Sequence, residues 1–420
     1  MSPARACAYR VIRRVFEEGA YTDRALHGEA KTLSGRDRAL ATTLAYGTVQ
    51  RRATLDHIIA AFSSRPPSKL DPPVLAALRL GVFQLVFLDG VAAHAAVNES
   101  VELVKREQRG GAQLVNAVLR RTARDGRALV DGLSDATPAE AAVLHSVPEW
   151  LASLWWEELG ADDARALMAA INRPAESALR VNTLVADVAS VVDALPVAAS
   201  VDPPDGLVLG GPFDTFGSEL FGGGAVMPQS RGSMSVARAV AAAPGERVLD
   251  LCAAPGGKTT HLAALMGDEG SVLAVERHPG RAAALERTCQ RMRASCVSVV
   301  VGDAAEGGFA GGPFDRVLVD PPCSGLGTLQ SRPDIRWRAQ PTSIAELAEI
   351  QLRILRAGAA ATAPGGRLVY SVCTITQAEG REVVRRLLDE NPAMALRSER
   401  QLLPHRDGTD GFFIADFCHT

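Results

Sequence analysis

One stretch constrains this 420-residue chain more than any other: Arg247-Val248-Leu249-Asp250-Leu251-Cys252-Ala253-Ala254-Pro255-Gly256-Gly257-Lys258-Thr259-Thr260. A β-type apolar run, Val248 to Leu251, stops at small residues and two glycines, and a helical run follows from Thr260 to Met266. Strand, glycine turn and helix start together present backbone N–H groups to a ligand. A second apolar run, Val272 to Val275, ends in Glu276. It lies about twenty residues after the glycines, the spacing at which an acidic side chain accepts hydrogen bonds from a ribose. The stretch therefore reads as a nucleoside-binding βαβ unit.

Three nucleoside ligands compete for it. A phosphate-binding loop needs a glycine five residues before its Gly-Lys pair, and that position is Cys252. A dinucleotide fingerprint needs a third glycine, which Gly256-Gly257 lacks. S-adenosylmethionine remains.

The length suits two or three domains. No run reaches the ~20 apolar residues of a membrane span. The longest, Val74 to Leu88, is interrupted by Arg79 and Gln84. Seven cysteines, an odd count without paired spacing, suit reduced thiols in a cytoplasm, and no Cys or His cluster suggests a metal. The net charge of -3 hides an asymmetry: residues 1–130 hold 20 Lys+Arg against 12 Asp+Glu. A basic N-terminal part predicts a polyanionic partner. Lys258 is the only lysine after Lys105 among 45 basic residues, which points to a need for a compact ammonium there.

Helical spacing predicts an all-helical domain over residues 1–124, with arginines clustered at Arg10, Arg13, Arg14 and at Arg120, Arg121, Arg124. Residues 125–145, with Gly126, Gly132 and Pro138, read as a linker. Residues 146–230 read as a small α+β connecting module, irregular over 185–225. Its tryptophans Trp150, Trp155 and Trp156 suit core packing better than base stacking. From 231 to 420 strands and helices alternate. They predict an α/β fold with a doubly wound, Rossmann-like, mainly parallel sheet, and ligands beyond the C-terminal strand ends.

The candidates for chemistry stand at those ends: Asp250, Glu276, Asp303, Asp320 with Pro321-Pro322-Cys323, and Cys373. The prolines give a rigid exit that fixes where the next side chains point. Cys323 and Cys373 follow strands that are neighbours in such a sheet, so both thiols can face one cavity. Two thiols suit methylation of carbon 5 of a pyrimidine. A thiolate adding to carbon 6 makes carbon 5 nucleophilic, and loss of the carbon 5 proton then expels it. The chemistry leaves open which cysteine adds and which assists release. Asp320 can hydrogen-bond the base, and Lys258 can favour a thiolate or orient the base.

These residues resemble the RNA cytosine carbon-5 methyltransferases of the Sun/Fmu and Nol/Nop type. The resemblance is carried by Asp250 to Thr259, Glu276, Asp303, Asp320 to Gly327, Pro333 to Trp337, Ser371 to Thr374 and Asp410 to Ile414. The N-terminal part is similar to the NusB-type helical RNA-binding domain through Arg36 to Leu40, Tyr46-Gly47, His94 to Glu99 and Val115 to Arg121. Together the two parts resemble bacterial enzymes of small-subunit ribosomal RNA. The resemblance implies Cys373 as nucleophile, Cys323 as the release thiol, and Asp320 and Lys258 beside them. It implies S-adenosylmethionine held by Cys252, Ala253, Ala254, Pro255, Gly256, Gly257 and Lys258, with Glu276, Asp303 and Asp320. The expected product is 5-methylcytosine in small-subunit (16S) ribosomal RNA, made by a monomer. Transfer RNA as substrate, or a non-catalytic RNA-binding assembly factor, are the alternatives.

Overall fold

Helical periodicity governs the chain as far as residue 170. The computed structural model describes residues 2–107 and 109–420. It divides into two units: Met1–Arg173 with Leu329–Arg338, and Pro174–Thr328 with Ala339–Thr420.

In the first unit the central helix is Pro72–Phe87. The two polar residues that interrupt its apolar run are both buried and both satisfied. Arg79 makes a bidentate pair with Asp56 at 2.7 and 2.8 Å. Gln84 accepts from Arg5 at 2.6 Å and donates to the Leu80 carbonyl. A buried polar group without such partners costs about 1–3 kcal/mol, so this pattern suits a packed core. The expected linker is largely helical instead. The helix Ala112–Asp131 continues through Gly126, and Pro138–His145 follows behind a Thr137–Glu140 capping box. Gly126 is a close-approach glycine, not a breaker: a Cβ there would meet Thr122 at 2.9 Å and Val86 at 3.0 Å. Trp155 is fully buried in the core, and Trp156 lies under Arg165.

The first arginine cluster is spent within the chain. Arg10 pairs with Glu29, Arg13 with Glu17 and Glu107, and Arg14 with Glu18 and Glu29. The second cluster is more open: Arg124 is 72% exposed, and Arg120 donates to its helical neighbour Asn116.

The segment Leu329–Arg338 packs with the helices, although it follows Cys323 by a few residues. Arg336 is completely buried and donates to the Ser146 and Ile171 carbonyls and to Asn172. Trp337 donates to Val49 at 2.7 Å, and Asp334 accepts from the Thr22 amide.

The second unit opens with a small antiparallel sheet of β1 (Ala178–Val181), β2 (Ala199–Val201), β3 (Gly206–Leu209) and β4 (Val226–Pro228), in the order β2-β3-β1-β4. Part of the region expected to be irregular thus forms short strands and the helix Val188–Ala194. Strands of three or four residues leave too short an alternation to read. The main sheet follows: β5 (Arg247–Leu251), β6 (Ser271–Glu276), β7 (Val297–Val301), β8 (Phe314–Val319), β9 (Thr362–Val372), β10 (Met394–Leu402) and β11 (Phe412–His419). Its order is β10-β11-β9-β8-β5-β6-β7. The five strands β5 to β9 run parallel, and β10 and β11 add an antiparallel edge. Helices cover the sheet, so the inner strands carry short contiguous apolar runs, Val248-Leu249 in β5 and Val317 to Val319 in β8, buried in the core.

Candidate active site

The parallel register lines up four strand exits at one edge of the sheet. Leu251 pairs with Val275 on one side and Val319 on the other, and Val319 pairs with Tyr370. The residues just beyond are the cofactor-loop start, Glu276, Asp320 and Cys373. Cys323 comes three residues after Asp320, at the end of the proline turn.

The structure brings together the four side chains expected to do chemistry. The Cys323 and Cys373 sulfurs are 3.3 Å apart. Lys258 Nζ donates to Asp320 Oδ2 at 2.8 Å, and Ser371 Oγ donates to Asp320 Oδ1 at 2.8 Å. Both Asp320 oxygens are therefore held, one by a cation. Burial acts to lower the Lys258 pKa, but the Asp320 carboxylate and the nearby Cys373 sulfur outweigh it, so the ammonium persists. The Cys323 thiol is pushed well up, first by its hydrogen bond to Cys373, then by burial and by the charges of Glu379 and Asp320. Three other cysteines stand apart: Cys7 is buried among the helices, and burial lifts Cys289 and Cys296 to about 12.

The glycine turn has a cradle's geometry. Gly256 has φ +102°, and a Cβ there would lie 2.7 Å from Leu285, so no side chain fits. No side chain caps the Gly257–Leu265 helix start, which leaves the first N–H groups for an anionic ligand group. Asp250, 1% exposed, accepts from Thr259 Oγ1 at 2.7 Å, and burial pushes its pKa up to about 7. Glu276, 2% exposed, accepts from the His278 amide and lies 3.4 Å from Arg281. Asp303 caps its own turn through the Ala305 amide and lies 3.6 Å from Arg277. A bare glycine turn, an uncapped helix start and a carboxylate at the neighbouring strand end fit an amino-acid nucleoside such as S-adenosylmethionine.

Sequence reasoning missed three contributors. Ser371 enters the sequence reading only within the family pattern Ser371 to Thr374, with no role of its own, although its alternation with Cys373 places it beside Asp320. Arg180 on β1 is fully buried and donates to Gln229 and to Thr260 on the cofactor helix. The small sheet thereby braces the cofactor helix, a pairing with no sequence signature. Glu379 is the third. Its signal is the Thr376-x-x-Glu379 spacing ahead of the amphipathic helix Arg381–Glu390, a capping pattern that conceals an inward-facing carboxylate.

Comparison with known proteins is decisive for the family. Residues 237–418 match the family described as 16S rRNA methyltransferase RsmB/F, and residues 2–124 match the NusB family. Residues 147–215 match the ferredoxin-like domain of RsmF/B-like methyltransferases. The probable ribosomal RNA small subunit methyltransferase B of Bacillus subtilis is 35% identical over 440 residues, covering 98% of this chain and 97% of its own. The chain belongs to the ribosomal RNA small subunit methyltransferase B family. The Thermus thermophilus member is 36% identical and covers 90% of this chain, with 88% of its own length matched. Among solved structures, PH0851 superposes with a TM-score of 0.83 at 27% identity, over 100% of this chain and 99% of that one. NSun6 from Pyrococcus horikoshii shares the fold at a TM-score of 0.61 and 21% identity, over 66% of this chain and 99% of its own. The expected architecture, a NusB-like helical domain ahead of a methyltransferase sheet, is thus met, and the chain is a ribosomal RNA methyltransferase. No described helix is long and apolar enough to cross a membrane, and no group of metal-ligating side chains occurs among the described residues.

Proposed function

We propose that this chain methylates carbon 5 of a cytosine in small-subunit ribosomal RNA, with Cys373 as the covalent nucleophile. The observation that carries the reading is the sulfur pair at 3.3 Å beside the Lys258–Asp320 ion pair. S-adenosylmethionine supplies the methyl group as an electrophile, held by Cys252 to Lys258 with Glu276 and Asp303.

The remaining steps belong to the chain's own residues. The Lys258 ammonium favours the Cys373 thiolate, which adds to carbon 6 and forms the carbon–sulfur bond. The ring pair displaced from the 5,6 double bond makes carbon 5 the nucleophile. Asp320, steadied by Lys258 and Ser371, accepts from the exocyclic amine and orients the ring. After transfer, a water acting as base takes the carbon 5 proton, the C–H pair re-forms the 5,6 double bond and the carbon–sulfur bond breaks, returning its electron pair to Cys373 as the thiolate. Cys323, against that sulfur, assists this release. An ordinary serine or alanine would pack as well at Cys323, so a second thiol in van der Waals reach of the first is an argument for chemistry.

The exposed arginines Arg120, Arg121 and Arg124 supply a phosphate-binding face for the RNA. The test is labelled-methyl transfer to deproteinised small-subunit RNA and, in parallel, to transfer RNA, followed by digestion to nucleosides. The expected label is 5-methylcytidine from the ribosomal RNA. Label on another base, or on transfer RNA alone, refutes the reading.

A further inference from the structure

We infer that Glu379 is a positioning residue that holds the two active-site cysteines against each other; this rests on the two-thiol reading above. Glu379 is completely buried, and no lysine or arginine pairs with it among the described residues. Its charge is satisfied by neutral donors alone. Oε1 accepts from the Ser324 amide at 2.7 Å and from Gln351 Nε2 at 3.0 Å. Oε2 accepts from Ser324 Oγ at 2.6 Å and from the Thr374 and Thr376 hydroxyls, each at 3.1 Å. Its carbonyl accepts from Tyr370 Oη at 2.6 Å.

The partners matter because of where they stand in the chain. Ser324 follows Cys323, and Thr374 follows Cys373. Their hydroxyls also meet each other at 2.7 Å. Gln351 adds a grip on the other side of Cys323, donating to the Pro322 carbonyl at 2.9 Å. One carboxylate thus ties the residue after each cysteine to a single point, and its neighbour Gln351 ties the residue before Cys323. A buried carboxylate with no cation is costly to keep ionised, and charge-assisted hydrogen bonds offset that cost only if several converge. Five converge here, all from groups that set the approach of the two thiols or the turn that carries Glu379. A glutamine would be cheaper to bury but supplies one acceptor oxygen in place of two.

The test reads the geometry and the chemistry separately. In wild type, the azo oxidant diamide takes up two electrons and the two thiol protons and joins Cys323 to Cys373 as a disulfide, quantified by peptide mass spectrometry. Glu379→Ala slows that oxidation at least ~10-fold, because loosened thiols lose effective concentration. Turnover falls roughly 100-fold in kcat, the scale of a misplacement near 1 Å, while KM for the methyl donor stays within about 2-fold. Glu379→Gln falls between Glu379→Ala and wild type in both measurements. If Glu379→Ala fails to fold, Glu379→Gln and Ser324→Ala decide the matter, each predicted to slow oxidation and lower kcat with the melting temperature unchanged. Wild-type oxidation and turnover in those two variants overturn the inference. So does a loss that appears only as weaker methyl-donor binding and a lower melting temperature. The oxidation assay needs no RNA. If the wild-type enzyme labels a base other than cytosine, the functional reading fails, while the oxidation rates still decide whether Glu379 positions the thiols.

Discussion

Asp250→Asn should make the methyltransferase unit more stable at alkaline pH and leave it unchanged in acid. Asp250 is buried at the end of β5 with one hydrogen bond, from Thr259 Oγ1 at 2.7 Å. Burial raises its pKa from the ordinary 3.8 to about 7, with Asp320 adding to the rise and Thr259 and Lys258 opposing it. Between those values the folded chain holds a proton that the unfolded chain has released. Stability therefore falls as pH rises through that window, and above about 7 the deficit is constant. The displacement corresponds to at most about 4 kcal/mol. Asparagine has no proton to lose, and its carbonyl keeps the Thr259 hydrogen bond. The variant should match wild type at pH near 4 and exceed it by roughly 2–4 kcal/mol at pH near 8.5. Urea unfolding followed by far-UV circular dichroism at both pH values measures the gap. All four tryptophans lie in the first unit, so fluorescence supplies an internal control that should not move. A gap that is the same at both pH values, or a variant less stable at pH 8.5, refutes the burial argument.

Other outcomes follow from the same geometry. Cys373→Ala should abolish turnover and form no denaturant-resistant RNA adduct, whereas Cys323→Ala should accumulate one; gel mobility after denaturation shows which, and the opposite pattern exchanges the two roles. Lys258→Met leaves the Asp320 carboxylate without its cation and should cost roughly 2–4 kcal/mol of transition-state stabilisation, about 30- to 10³-fold in kcat, read by single-turnover kinetics. Reversing Arg120, Arg121 and Arg124 to glutamate should weaken RNA binding and lower its log–log salt slope by about 2, near 0.7 for each lost phosphate contact; the same changes at Arg10 and Arg14 should move the slope less, since glutamates already pair with both. Arg336→Met orphans buried carbonyls and should cost the first unit about 2–4 kcal/mol, visible as an earlier tryptophan fluorescence transition.

What the sequence made legible was whatever depends on local backbone demand. The two glycines before Lys258 announce a ligand turn because only a strand exit into a helix needs them. Cys323 and Cys373 can be paired in advance because parallel strands in this order place their exits side by side. Strand β10 escaped notice because it is an edge: its middle residues are exposed on both faces, so Met394 to Leu402 shows no apolar alternation. Glu379 escaped because an acid three residues after threonine suits a helix start, and nothing local reveals that it faces inward. The Arg10, Arg13 and Arg14 cluster looked like an RNA face because composition counts charges without pairing them; Glu17, Glu29 and Glu107 come from three different helices. Arg336 lies close in sequence to Cys323, yet its guanidinium is consumed by Asn172 and by main-chain carbonyls of the helices, which no local pattern announces.

The path of the backbone at Leu329–Arg338 limits how this enzyme can be dissected. A bead joined by one tether can be cut off; here the polypeptide passes between the units three times, at residues 173–174, 328–329 and 338–339. Removing the N-terminal half strips the acceptors from Arg336 and the packing from Trp337, a few residues downstream of the proline turn. A truncated catalytic half would thus carry an unhoused guanidinium and indole, and its inactivity would say little about RNA recruitment. Point substitutions on the outer arginines, not excision, are the instrument suited to asking what the helices contribute.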